Sequence, residues 1–205
     1  MLSALDPDQD LARLPPVLWE SEGGLDVPVR TRLLGVLREE HLDAGGKPWV
    51  RAEHLQDEMV LLEGASRLFL RDPRGRTWNT HLLVAPCFFP PLHLRTRDGR
   101  SSLEAEMVRP GVVQRFDARE FCRLRDEVPT LQRLGSRVVE EEMERLRRRE
   151  EWTLGLDLAT RVALLLRERP EVWQNFSNQD IASFLGVTPE ALSRALSKVR
   201  KPTGG

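Results

Sequence analysis

The sequence predicts an α+β chain in three parts: an antiparallel β-roll over residues 1–126, a long helix over 127–154, and an all-α helix-turn-helix unit over 155–205. Three observations carry this reading. Short apolar runs between Trp49 and Phe116 are parted by turn residues at close intervals, as in a small barrel or roll. A charge-dense stretch with a narrow apolar stripe follows Val128-Pro129 and meets no further proline until Pro170. From Ser177 the order is cap, helix, glycine turn, cap, helix.

Taken in order, the first residues are broken by Pro15-Pro16 and Gly23-Gly24, with Leu11, Leu14, Val17 and Leu18 placed for a short helical piece. Val29 to Leu42 mixes Leu33, Leu34, Val36 and Leu37 with charges and is expected to be helical. Strands are expected at Met59–Glu63, ended by Gly64, at Ser66–Arg71, and at Thr77–Val84 after the turn Asp72-Pro73-Arg74-Gly75. Pro86 opens an irregular stretch to Leu94. Ser101–Val108 and Val112–Phe116 then read as strands about Gly111.

Asp117 caps a helix with Glu120 at its third position. The long helix carries Leu131, Leu134, Val138, Val139, Met143 and Leu146 on its apolar stripe, the expected seam of a homodimer. Glu141 with Arg145, and Glu144 with Arg148, stand at i,i+4 in the favoured order. Gly155 marks a hinge. Asp157 then starts an amphipathic helix through Leu158, Val162, Leu165 and Leu166, ended before Pro170. Val172, Trp173 and Phe176 are expected to fill the space between that helix and the helix-turn-helix.

In the helix-turn-helix, Ser177 caps the first helix with Asp180 three residues on, and Ile181, Ala182 and Leu185 share one face. Gly186 stops it, because glycine reaches positive φ cheaply. Thr188 caps the second helix, Pro189 opens it, and Leu192, Leu196 and Val199 form its buried stripe. A small residue, a turn residue four on and a branched apolar residue six further let two helices cross closely; Ala182, Gly186 and Leu192 are that set. The opposite face carries Glu190, Ser193, Arg194, Ser197 and Lys198, polar groups suited to the edges of bases in a major groove.

The run from Ile181 to Arg194 resembles the recognition motif of the Crp/Fnr family of bacterial transcription regulators. Glu190, Ser193 and Arg194 are similar to the Glu-x-x-Ser-Arg pattern of its Fnr-like branch. Glu63-Gly64 with Arg67-Leu68-Phe69-Leu70, the Gly75 turn and Phe88-Phe89 look like that family's cyclic-nucleotide-binding-type β-roll. The resemblance implies a homodimer on a palindromic double-stranded DNA site. It implies that Glu190 accepts from a cytosine amino group and Arg194 donates to a guanine, with Ser193 assisting. Ser177, Gln179, Thr188, Lys198, Arg200 and Lys201 would then meet phosphates, and RNA polymerase is a further partner. After Lys201 only Pro-Thr-Gly-Gly remains, so the two-stranded wing of many relatives is not expected.

The family's nucleotide pocket uses a Gly-Glu pair, where this chain has Pro90-Pro91; neither proline donates a backbone hydrogen bond or supplies a carboxylate. Arg100 and Ser101 resemble the phosphate-holding half and are the candidates for an effector anion, against a plain surface turn after Asp98-Gly99. Cyclic nucleotide binding in the family's usual mode is therefore not expected. Cys87 and Cys122 are too few for the four thiolates an iron–sulfur cluster takes, and are expected to be buried structural thiols. His81, Cys87 and His93 match no zinc spacing, so no metal or other cofactor is expected.

The net charge of −1 does not announce a nucleic-acid binder. From Gly155 onward seven basic residues face five acidic ones, and four of the seven lie on or just after the second helix. No run of 18 apolar residues and no signal-peptide pattern occurs, so the cytoplasm is the expected compartment and no membrane is expected as a partner. No nucleophile triad, P-loop or GxGxxG is present, and no catalytic activity is expected. Two functions fit: a DNA-reading regulator, effector-independent or not, and a ligand-sensing adaptor whose helix-turn-helix binds a protein.

Overall fold

The computed structural model describes residues 25–90 and 98–200. Helix α1 (Val27–Val36) leads directly into β1 (Leu37–Leu42). Strands β2 (Asp57–Leu61), β3 (Ala65–Arg71), β4 (Thr77–Val84), β5 (Cys87–Phe88), β6 (Glu104–Arg109) and β7 (Gly111–Asp117) complete two antiparallel sheets. One sheet runs β1-β7-β2-β5, the other β4-β3-β6. Their facing sides enclose Trp49, Met59, Leu61, Leu68, Phe89, Leu103, Met107 and Val113.

The expected helix over Val29–Leu42 is half right. It ends at Val36, and the next six residues pair antiparallel with β7, Leu37 opposite Phe116 and Leu42 opposite Gly111. The edge of β7 overrides the local helical pattern, because its backbone groups would be left unpaired if residues 37–42 stayed helical. The strand expected from Ser101 begins at Glu104; Ser101 to Leu103 are held instead by the Ser101 hydroxyl. The β2–β3 and β6–β7 turns cross at Gly64 and Gly111. A Cβ on Gly111 would lie 2.0 Å from the Glu63 carbonyl oxygen, so no side chain fits there.

Helix α2 (Ala118–Glu127) is capped by Asp117, whose carboxylate accepts from the N–H groups of Arg119 and Glu120. The 27-residue α3 (Pro129–Gly155) follows. α1, α2 and the first turns of α3 lie on the outer face of the first sheet and bury Val29, Leu33, Phe116, Phe121, Leu124, Leu131 and Leu134.

The C-terminal unit is α4 (Leu158–Glu168), α5 (Pro170–Asn175), α6 (Asn178–Leu185) and α7 (Pro189–Arg200). Its core of Val162, Leu165, Val172, Phe176, Ile181, Leu185, Leu192 and Leu196 is continuous with Ala65 and Leu82 of the second sheet. Val172 and Phe176 fill the position expected of them, with Trp173 partly buried beside them. No helix among the described residues is long and apolar enough to cross a membrane.

Candidate nucleic-acid interface

The α6–α7 pair is built by the local chemistry that its sequence contains. Ser177 accepts from the Asp180 N–H, and the Asp180 carboxylate accepts from the Ser177 N–H, a reciprocal cap. Gly186 sits at φ 71°, ψ 31°, and the Val187 N–H donates to the Ala182 carbonyl at 2.9 Å. Thr188 Oγ1 accepts from the Ala191 N–H at 3.2 Å and so caps α7. Leu192, Ala195 and Leu196 are buried. Glu190, Ser193, Arg194, Ser197, Lys198 and Arg200 are all exposed on the other side of α7.

Glu190 is shaped as an acceptor. Its own backbone N–H, then the Thr188 hydroxyl and the Arg194 charge, hold its carboxyl below the ordinary value, so it is ionised at neutral pH. Arg194 stands one turn further along. Ser193 lies beside it, and Ser197 donates its hydroxyl back to the Ser193 carbonyl. Ser177, Gln179 and Thr188 are exposed at the helix starts. Lys201 lies outside the described residues.

The reader unit is clamped to the edge of β4, the outer strand of its sheet. Such an edge leaves carbonyls and N–H groups unpaired. Here the Thr77 carbonyl accepts from Ser183, the Asn79 and Thr80 carbonyls from Arg149, and the Leu82 carbonyl from Arg169. The Asn79 N–H donates to Ser183 Oγ at 2.9 Å. Arg67 on β3 reaches Asp180 at 2.8 Å, so the capping carboxylate of α6 also ties the reader to the roll. These clamp residues carry no sequence signature, since an arginine that will cover a strand edge looks like one facing water.

The model of the bacterial regulatory proteins, crp family, matches residues 175–202. Among solved structures, FixK2 from Bradyrhizobium japonicum is similar over 83% of this chain and 90% of its own, at 19% identity and a TM-score of 0.70. The c-di-GMP responsive global regulator CLP from Xanthomonas campestris matches over 85% of this chain and 92% of its own, at 14% identity and TM-score 0.65. A Eubacterium rectale protein assigned to the crp/fnr family of transcriptional regulators matches over 85% and 83%, at 15% identity and TM-score 0.65. The chain has the Crp/Fnr regulator fold. Its C-terminal helix pair lies within the segment that the crp-family model matches. No curated protein matches the sequence.

In this Crp/Fnr fold the described residues of the roll pack closely against one another. Trp49 and Phe89 meet edge to face at 5.2 Å, and the cavity beside them, which Pro90 also lines, holds about 20 Å³. That is room for about one water and far too little for a nucleotide. Arg100 and Ser101 are not brought together as an anion site. Ser101 is buried and its hydroxyl donates to the Leu103 carbonyl at 2.6 Å, whereas Arg100 is exposed and donates to the Ala52 carbonyl and pairs with Asp98. Among the described residues these two side chains serve the turn after Gly99.

The expected dimer stripe of α3 divides in two. Leu131 and Leu134 are fully buried within their own protomer, and Val138 packs partly against the same cluster. They cannot meet a partner, because the helix's first turns are spent on covering the roll. Val139, Met143 and Leu146 remain exposed at 42%, 57% and 38%, and Leu154, which the sequence reading left out, is 80% exposed.

Cys87 and Cys122 are half-buried residues and form no disulfide. Burial pushes the Cys87 thiol up to about 12, with Arg169 opposing weakly, so it is no thiolate at neutral pH. The described residues contain no group of three His, Cys, Asp or Glu side chains placed to hold a metal ion, and His93 lies outside them. His81 faces Glu142 at 3.1 Å and Thr80 at 2.9 Å. With a carboxylate opposite, Nε2 is the nitrogen placed to donate, while the Thr80 hydroxyl beside Nδ1 also donates to the Leu68 carbonyl at 3.1 Å.

Burial lowers the His81 value to about 4 against the opposing pull of Glu142. Burial alone would raise the Glu142 carboxyl, but hydrogen bonds from Arg145 and His81 hold it down at about 2. The unfolded chain therefore takes up a proton on this histidine near pH 6.5 that the native state refuses until about pH 4. Stability is complete above pH 6.5 and declines as pH falls, by up to roughly 1.4 kcal/mol per pH unit. Urea melts of the parent from pH 7 to 4.5 are expected to show this decline, and those of His81→Gln a shallower one. Equal slopes would assign the acid sensitivity to other groups.

Proposed function

We propose that the chain is a cytoplasmic, sequence-specific transcription regulator that acts as a homodimer on an approximately palindromic DNA site. The observation that carries the proposal is the exposed face of α7. Glu190, Ser193 and Arg194 project from one side of a helix whose opposite side is fully buried, on a motif matched by the crp-family model. A carboxylate suits the cytosine amino group and a guanidinium suits guanine O6 and N7. Each protomer supplies one reading helix, and two-fold symmetry sets them a helical turn apart. Ser177, Gln179, Thr188, Lys198, Arg200 and Lys201 position the protein on phosphates, and RNA polymerase is the further partner of such a regulator.

Pro90-Pro91 in place of the Gly-Glu pair, and the small cavity beside Trp49 and Phe89, support DNA binding that needs no cyclic nucleotide. Gel shifts with purified protein and a selected duplex test this. Retention without additive is expected, and strict dependence on added cyclic AMP or cyclic GMP would refute it. Lys201→Ala is expected to weaken all duplexes alike, and to lower the slope of log K against log salt by about 1. An effect confined to the preferred duplex would move Lys201 from phosphate contact to base reading.

A further inference from the structure

An open cleft of about 350 Å³ lies between α3, α4 and α6, within the size range of small-ligand sites. Its walls are apolar and aromatic, with Trp152 from α3, Leu165 from α4 and Phe184 and Leu185 from α6. Two guanidinium groups enter it without a carboxylate partner among the described residues. Arg149 lies over the Phe184 ring at 5.2 Å and is bonded only to backbone carbonyls. Burial, and then the charge of Arg145, pull its value below the ordinary one, the mark of a cation short of an anion. Arg161 donates to the Leu185 carbonyl at 3.1 Å, while its Nε is buried with no hydrogen-bond partner.

The other charges around the cleft are already matched. Arg145 is held by Glu142, Arg148 by Glu144 and Glu168, and Arg169 by Glu171. At 100° per residue Met143 lies on the side of α3 opposite Arg145 and Trp152, and Leu146 on the flank between, in line with Thr153 at the cleft mouth.

We infer that this cleft binds a small amphipathic anion, an aromatic or acyl carboxylate, with the carboxylate between Arg149 and Arg161 and the apolar body against Trp152 and Phe184. The site lies outside the β-roll and does not depend on whether α7 reads DNA. Such a ligand would join the long helix to the reader unit at the point where Arg149 already spans β4 and α6.

The test uses the full chain and the fluorescent anion 8-anilinonaphthalene-1-sulfonate, followed by competition with 1-naphthoate and with the neutral 1-naphthamide. Saturable binding of the probe is expected, with displacement by the carboxylate at least tenfold more effective than by the amide. Arg161→Met and, at the exposed mouth, Thr153→Trp are each expected to weaken probe binding at least tenfold while circular dichroism stays unchanged. Arg74→Ala on the distant β3–β4 turn is expected to leave it unaltered. Equal competition by the amide, parent-like binding in both cleft variants, or no saturable binding would overturn the inference. If Arg161→Met loses its fold, Thr153→Trp decides alone, since its side chain starts from the helix surface.

Discussion

Placing aspartate at both Val139 and Met143 is expected to leave the protein monomeric and to lower its affinity for a palindromic duplex at least a hundredfold. The two side chains stand exposed one turn apart on α3, with Leu146 a further turn along. Burying such a residue against a partner is worth about 1.5–3 kcal/mol, and a two-fold axis counts each contact twice. Aspartates there would face their own copies across the seam and could be neither hydrated nor paired, so the loss exceeds that of the apolar contacts alone. The roll is spared, because Leu131 and Leu134 lie on a different part of the helix and carry the intramolecular packing. Analytical ultracentrifugation with circular dichroism checks this. A folded variant that still sediments as a dimer would put the interface elsewhere; a monomer that binds the full site as tightly as the parent would deny the need for two readers.

Arg194→Ala is expected to cost on the order of 1–3 kcal/mol on the preferred duplex and almost nothing on unrelated duplexes. The asymmetry is the informative part. A guanidinium that bridges two acceptors of guanine loses both bonds when truncated, and the discrimination goes with them. One that merely neutralises a phosphate is lost equally from every sequence. Arg194 is exposed and contributes nothing to the α7 core, so the variant should fold as the parent does. Because Arg194 also helps to hold Glu190 ionised, Glu190→Gln should lose discrimination at the neighbouring base pair and not merely repeat the Arg194 result. Competition gel shifts on matched and single-substituted duplexes separate the two. Uniform weakening across all of them would remove base reading from the account.

The reader motif was legible because its determinants are local. Ser177, Asp180, Gly186 and Thr188 act within four residues of their partners, and each does in the fold what its position implies. The roll strands were legible as short apolar runs parted by turn residues. What escaped the sequence depends on distant partners. Leu37 to Leu42 became a strand because β7 offered an edge. Leu131 and Leu134 left the dimer seam because α1 and α2 came to lie against them. The stripe of α3 has one period along its length, and nothing in that period marks where it changes partner.

Arg100 and Ser101 part for a reason the sequence does not carry. An arginine followed by a hydroxyl fits an anion, but Ser101 is satisfied by Leu103 and buried, while Trp49 and Phe89 pack edge to face nearby. Side-chain filling of a cavity is a sum over many positions, and no single pair of residues announces it.

The most direct test of base reading is selection from a random duplex pool by the purified protein at moderate salt, followed by sequencing of the retained DNA. Enrichment of a two-fold symmetric sequence is predicted, its half-sites centred one helical turn apart and each carrying a G·C pair that loses its enrichment with Arg194→Ala. A retained pool as diverse as the starting one, or enrichment of a sequence unchanged by loss of Arg194, would contradict it.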